Sequence, residues 1–367
     1  MIPPAYDYLF SAFAFILGAN IGSFLNVCIY RMPRNLSVNK PRRSFCPSCE
    51  YQIPWYHNLP LVSWLMLRGK CANCGAKFSV RYFGVELLTG LLFLAVWRHV
   101  WPDAWALALP YWILVSLFVV ATFIDFEFFI IPDEITWGGV AAGIILSFAM
   151  PGLMGEQSNV MGLVWSVVGA AVGYGTLWGV VELGKKAFGK KRRTFPKSAP
   201  FTWVHQGDDA ELTVGEEKEL WSEYFARDSD RLLMQCPWVE IEGKRFENAA
   251  LEFQYEALRI ADRTWNLNEL KTLCGEVAEI VIPREAMGFG DVKFIAAIGA
   301  FLGWKAVFFT VFGASTLGAV VGLSTVAIGK REWSAKIPFG PYLACAALVW
   351  LFTGPRLVEW YLKLMAI

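Results

Sequence analysis

Two aspartates sit where a carboxylate is costly. Asp291 lies in GFGDVKF, between Gly288 and Gly290 and an apolar run, FIAAIGAFLG, while Asp125 ends a longer apolar run, YWILVSLFVVATFI. An ionisable side chain at the edge of such segments is a functional hypothesis by default. Two carboxyl groups held close together cannot both ionise cheaply, so they share one proton across neutral pH. One can then activate water as a base while the other protonates or hydrogen-bonds a scissile carbonyl. Gly288 and Gly290 remove side chains beside Asp291 and let a peptide backbone approach. The structural alternative is that Asp291 pairs with Lys293 or caps the helix after it.

The other carboxylates sort by position. Of 32 Asp and Glu, 19 fall between 208 and 285, and most of the rest lie in loops or near the ends of apolar runs. Six need an explanation: Glu86, Asp125, Glu127, Asp133, Glu134 and Asp291. Asp133 follows Pro132 and precedes an apolar run, so it is expected to cap that helix, with Glu134 favourable to the helix dipole. Glu86, in YFGVELL, reads equally well as a functional carboxylate or as a buried partner of an Arg such as Arg81.

A second constellation is sulfur. Cys46 and Cys49 form one CxxC pair, Cys71 and Cys74 another, with 21 residues between them. Paired CxxC knuckles bring four thiolates to one tetrahedral ion, which points to a zinc-ribbon-like site. Redox chemistry is the alternative, but these loops read as cytosolic, where thiols stay reduced. Cys28, Cys236, Cys274 and Cys345 are isolated and read as apolar packing.

The elements that must position these groups are membrane spans. With 56% apolar residues, 17 Trp, 28 Phe and only 18% charged residues, the chain reads as a polytopic all-α membrane protein. Apolar stretches near 8–30, 83–101, 105–124, 135–150, 160–183, 306–328 and 340–362 are long enough to cross a bilayer. A shorter one at 292–304 makes the expected count eight. Lys and Arg concentrate in 31–82, 184–197 and 329–336, whereas the opposite loops and ends hold only Arg98, Lys305, Arg356 and Lys363. The basic loops are therefore expected to be cytoplasmic and both termini external. The first apolar stretch reads as an anchor, not a removable signal peptide.

This organisation divides the chain into a first span (1–30), a cytoplasmic cysteine loop (31–82), spans two to five with Asp125 (83–183), a polar insert (184–287), and the GFGD segment with the last spans (288–367). The insert opens with a basic run, KKAFGKKRRTFPK, expected to lie against anionic lipid and not to bind nucleic acid. LEFQYEALRI and VAEIVIP alternate like strands, and ELTVGEEKELWSEYFARD reads as an exposed helix, so a small α+β module is expected.

Several stretches together resemble the type IV prepilin peptidases, bacterial membrane aspartic proteases of the GxGD class. They are GANIGSFLNVCIYRMPR, the paired CxxC loop with WYHNLPLVSWLMLRGKC between its halves, RYFGVELLTGLLF, IDFEFFIIPDEIT and AMGFGDVKFIAAIGAFLG. The resemblance implies that Asp125 and Asp291 are the catalytic pair and that Cys46, Cys49, Cys71 and Cys74 are the zinc-type thiolates. It further implies cleavage of the basic leader of prepilins and pseudopilins at the cytoplasmic face of the bacterial plasma membrane. Methylation of the new N-terminal amine from S-adenosylmethionine is implied as well. No glycine-rich fingerprint for that donor stands in the sequence, so methylation rests on the resemblance, with Glu86 a candidate participant. A peptidase without methyl transfer, and a transporter with the thiolates as a metal-capture site, are the rival readings. The 184–287 insert departs from the usual pattern and leaves the motif after it intact.

Overall fold

The computed structural model describes residues 4–365 apart from 42–43, 47, 189, 207–208, 226–230, 242, 262, 271, 284–287 and 329–336. The basic loop 329–336, used above for orientation, lies outside the described residues, as do Arg42 and Arg43. Helices α1 (Pro4–Arg31), α2 (Val62–Met66), α3 (Val80–Val100), α4 (Ala108–Phe128), α5 (Asp133–Ala149) and α6 (Asn159–Phe188) come first. Eight strands follow: β1 (Lys190–Gln206), β2 (Asp209–Val214), β3 (Glu217–Leu220), β4 (Leu232–Ile241), β5 (Lys244–Phe253), β6 (Ala257–Ile260), β7 (Arg263–Asn266) and β8 (Thr272–Pro283). Helices α7 (Phe289–Ala327) and α8 (Gly340–Met365) complete the chain.

Six described helices, α1, α3, α4, α6, α7 and α8, are long and apolar enough to cross a membrane, and the chain is a polytopic membrane protein. The count differs from the expected eight for two local reasons. Helix α5, built from the 135–150 stretch, has only 17 residues. The stretches 292–304 and 306–328 run on as the 39-residue α7, interrupted at Gly303, whose φ of 77° and ψ of 171° are non-helical. Only glycine takes that backbone cheaply.

The described residues form two compact units, Met1–Trp178 with Gly288–Ile367, and Gly179–Met287. In the first, small residues let helices approach closely. A Cβ on Gly22 of α1 would lie 2.8 Å from the Glu86 Cα of α3, so this glycine sets how near Glu86 comes to α1. Aromatic stacking joins α3 to α4, with Phe93 and Trp112 rings 5.2 Å apart and nearly parallel.

The second unit is one antiparallel sheet in the order β3-β2-β1-β8-β4-β5-β6-β7. Its core includes Phe201, Trp203, Leu212, Met234, Val239 and Phe253. LEFQYEALRI and VAEIVIP lie in strands, as expected, but the expected exposed helix does not form. Its described residues make the β2–β3 hairpin and a single 3-10 turn, Trp221–Tyr224, while residues 226–228 lie outside the described residues. Gly215, with φ of 64°, starts the two-residue turn, and alternation buries Ala210 and Leu212. The Glu and Lys residues that favour a helix instead face solvent on the edge strand β3, where charge blocks further pairing. Thus the described insert is β-structured, not α+β. The later half of the basic run is strand too, and Arg192 and Arg193 pair with Glu279 and Glu217.

Candidate active site

Asp125 and Asp291 reach one place from different elements. Asp125 lies one turn before the end of α4, which stops where Phe129 turns left-handed (φ 57°). Asp291 lies in the first turn of α7, whose N-cap is Gly288. They are 5% and 7% exposed, so both carboxylates are buried. The segment between α4 and α5 joins them: Ile131 touches Gly290 on one side and Gly340 on the other. Asp125 and Asp291 are near enough for their charges to interact.

Their hydrogen bonding is unequal. Asp125 Oδ2 accepts from the Gly340 backbone N–H at 2.8 Å, whereas Asp291 Oδ1 is buried and has no donor among the described residues. An amide donor favours the ionised form of the oxygen it reaches. A Cβ on Gly340 would meet Asp125 Oδ2 at 2.8 Å, so a glycine is needed there for contact rather than for freedom of φ. At Gly290 the approaching backbone belongs to the chain itself: a Cβ there would lie 3.2 Å from Ile131 N. At Gly288 a Cβ would stand 3.5 Å from Asp291 Oδ2, an ordinary contact.

The remaining acidic residues find partners other than the expected ones. Lys293 Nζ donates to Asp133 Oδ1 at 2.6 Å, so Lys293 is committed to α5 and not to Asp291. Asp133 is not the expected cap. Pro132 holds the N-cap position, and no side chain caps α5. Arg81 pairs with Glu127, which Arg34 also approaches at 3.6 Å. Glu86 is therefore not the partner of Arg81. Its Oε2 accepts from the Leu61 backbone N–H at 2.7 Å.

The cysteine loop consists of two matching knuckles. Cys46 N donates to Tyr51 O, and Glu50 N returns to Cys46 O; Cys71 N donates to Ala76 O, and Gly75 N returns to Cys71 O. Each knuckle is closed by one bridge, Phe45 with Gln52 and Lys70 with Lys77, and turns at a left-handed residue, Glu50 or Gly75. The four sulfurs lie within 4.8 Å of one another, with Cys46 to Cys74 at 3.8 Å and Cys49 to Cys71 at 4.0 Å. Metal–sulfur bonds of about 2.3 Å in a tetrahedron require sulfurs about 3.8 Å apart, so the thiols fit a metal ion. Backbone N–H groups of Cys74 and Asn73 lower the Cys71 thiol to about 7, toward the thiolate a metal needs.

Beside the knuckles lies a cleft of about 1050 Å3, open mouth included, lined by α1, α3 and the loop between them. Ser23, Asn26, Tyr30, His57, Trp64 and Glu86 are in its wall. Sequence reasoning missed this cleft and two contributors to the aspartate site, Ile131 and Gly340. For Gly340 a signal existed: PFGPY, residues 338–342, punctuates the start of the last apolar run.

Comparison with known proteins agrees with this geometry. Residues 16–100 match the bacterial peptidase A24 N-terminal domain, and residues 112–191 and 270–323 match the type IV leader peptidase family. A prepilin leader peptidase/N-methyltransferase from Myxococcus xanthus is 30% identical across 98% of this chain and 77% of its own length. The protein of that name from Aeromonas hydrophila is 29% identical across 97% of this chain and 94% of its own length. One from Neisseria gonorrhoeae is 35% identical across 48% of this chain and 66% of its own. No solved structure matches. With both family models falling on the segments that carry the knuckles and the two aspartates, the chain belongs to the type IV leader peptidase family.

Proposed function

We propose that this chain is a membrane aspartic endopeptidase that cleaves the leader peptide of type IV prepilins and pseudopilins and then N-methylates the new N-terminus. The observation that carries the cleavage reading is the convergence of two buried aspartates around Ile131, one held by an amide and one without a donor on Oδ1. Asp125, stabilised as a carboxylate by Gly340 N–H, takes a proton from water as the water oxygen attacks the scissile carbonyl carbon. Asp291 carries the shared proton and delivers it to the carbonyl oxygen. As the resulting gem-diol collapses, Asp291 takes back a hydroxyl proton while the C=O re-forms, the C–N bond breaks, and the proton held by Asp125 passes to the departing amine.

The family resemblance supports eight spans, cytoplasmic basic loops and an address in the bacterial plasma membrane. Gly303, which divides α7, is consistent with counting its two parts separately. Cys46, Cys49, Cys71 and Cys74 would hold Zn2+ with all four positions filled by protein, a structural site that closes the loop. S-adenosylmethionine supplies the methyl group when bound. The names of the relatives from Myxococcus and Aeromonas support this second activity.

The test is mass spectrometry of a prepilin incubated with membranes holding this protein and S-adenosylmethionine. A shortened, methylated pilin is expected. Leader removal by Asp291→Asn at the wild-type rate would overturn the assignment of the catalytic pair.

A further inference from the structure

Helix α2 is apolar on the side where a water-facing helix would be polar. Its Ser63 is buried, and its Trp64 ring lies 5.3 Å from that of Phe83 in α3. Val62, Leu65 and Met66, three and four residues apart, share the other side of the turn. They are 50%, 58% and 77% exposed. Just ahead, the 3-10 turn Trp55–His57 leaves Trp55 and Tyr56 exposed, and Leu59 is exposed as well. Ser63 ties these pieces into one: its Oγ accepts from Leu59 N–H at 2.9 Å and donates to Tyr56 O at 3.3 Å. Six large apolar or aromatic side chains therefore stand exposed on one short, braced element. A contiguous apolar surface of this kind marks contact with a protein or a membrane.

What covers this face follows from what holds it. Besides the Trp64–Phe83 contact, Leu61 N–H donates to Glu86 Oε2 at 2.7 Å. Phe83 and Glu86 stand three and six residues after Val80, the first residue of the membrane-crossing helix α3. At about 1.5 Å per residue, they lie about 4.5 and 9 Å along it. Helix α2 is thus fastened to the flank of a span within its first two turns. The other span that carries the loop is joined at the same level, where Asn26 of α1 donates to Tyr82 O at 3.0 Å. Interfacial amphipathic helices bury their apolar face to a depth of about 5–10 Å at the boundary of headgroups and acyl chains.

The side chains suit that boundary. Trp and Tyr concentrate at membrane–water interfaces. Arg68, Lys70 and Lys77 follow α2, are exposed, and have no carboxylate partner among the described residues. Lys70 and Lys77 stand opposite each other in the bridge of the second knuckle. Like charges placed so repel, and an anionic headgroup beside them relieves the repulsion.

We infer that the outer face of the cysteine loop, formed by Trp55, Tyr56, Leu59, Val62, Leu65 and Met66, docks on an anionic lipid surface, with Arg68, Lys70 and Lys77 on the lipid phosphates. The apolar face sinks among the upper acyl segments, and each basic residue near the surface adds about 1 kcal/mol of attraction to anionic lipid. The two spans set the depth of α2, and the bilayer in turn holds the loop that carries the knuckles.

The experiment uses the full-length protein reconstituted in vesicles of phosphatidylcholine mixed with phosphatidylglycerol. A nitroxide is coupled to a ketone-bearing amino acid at Met66, which leaves every cysteine untouched, and in a second sample at Glu247, exposed on strand β5. Collision with oxygen against collision with a water-soluble nickel chelate gives the depth of each label. The label at Met66 should lie about 5–10 Å below the phosphates, and the one at Glu247 should lie in water. In phosphatidylcholine alone, the Met66 label should move toward water. The same shift is expected in mixed vesicles for the combined variant Arg68→Gln, Lys70→Gln, Lys77→Gln. A Met66 label as open to nickel as the one at Glu247 would overturn the inference. So would a label shielded only after prepilin is added, which would make this face a substrate-docking surface. Shielding only at high protein-to-lipid ratio would make it a contact between copies and overturn the inference too. Equal depth in both lipids would overturn the part given to the three cations, a result that needs no variant to fold.

Discussion

At the scale of single residues, the aspartates differ in what holds them. Among the described residues Asp125 answers to one backbone amide and Asp291 to none at Oδ1, so the pair is asymmetric before substrate arrives. If the two act as one unit, Asp125→Asn and Asp291→Asn should each abolish prepilin processing almost as fully as the double variant. Immunoblots must show equal abundance, and near-additive losses would argue against a unit. Gly340→Ala tests the amide: its methyl would sit 2.8 Å from Asp125 Oδ2. Cleavage should fall about 100-fold, as when one preorganised donor is lost, while the protein still accumulates. Asp133→Asn is the contrast. It removes a carboxylate that is 64% exposed and bound to Lys293, a loss worth about 0.2–1 kcal/mol, and leaves cleavage substantially intact. An inactive, well-expressed Asp133→Asn would mean that the catalytic aspartate of IDFEFFIIPDEIT had been misassigned.

At the scale of elements, the cysteine loop is expected to depend on its sulfurs more than on burial. Two short bridges and a five-residue helix are little regular structure for a loop of this length. The proposed four-thiolate site would add folding energy to the loop's few packing contacts, such as Trp64 against Phe83. Purified protein is expected to carry one zinc per chain by plasma emission spectroscopy. Cys71→Ser should lower both metal content and yield, and a metal-free wild-type protein with full activity would refute the structural role. The knuckles themselves were legible because CxxC spacing is a local property. The Glu- and Lys-rich stretch at 211–220 is not a helix because its strand character comes from pairing of β2 with β1 and of β3 with β2, which propensity does not register.

At the scale of the whole molecule, the sheet unit is expected to fold by itself, since it has its own core. The strand pairing sets where such a fragment should start. Lys190–Thr194 pair with Glu279–Pro283, so a fragment of residues 190–283 should unfold cooperatively, whereas 198–283 loses these pairings and should melt at a lower temperature. Equal melting of the two by circular dichroism would deny the first half of β1 any structural role. By itself the sequence determined the solvent, the positions of the apolar runs, the sulfur spacing and which two aspartates stand at the edges of apolar runs, because composition, periodicity and motif are written over a few neighbouring residues. What each polar group bonds to was decided only by the tertiary structure. Glu86 takes an amide 25 residues away instead of Arg81, Asp133 takes Lys293 instead of a helix end, and Asp125 takes an amide 215 residues away. In a low-dielectric interior a carboxylate must find some partner. Which one it finds depends on how closely helices pack, and glycines such as Gly22 and Gly340 set that distance without announcing their neighbours.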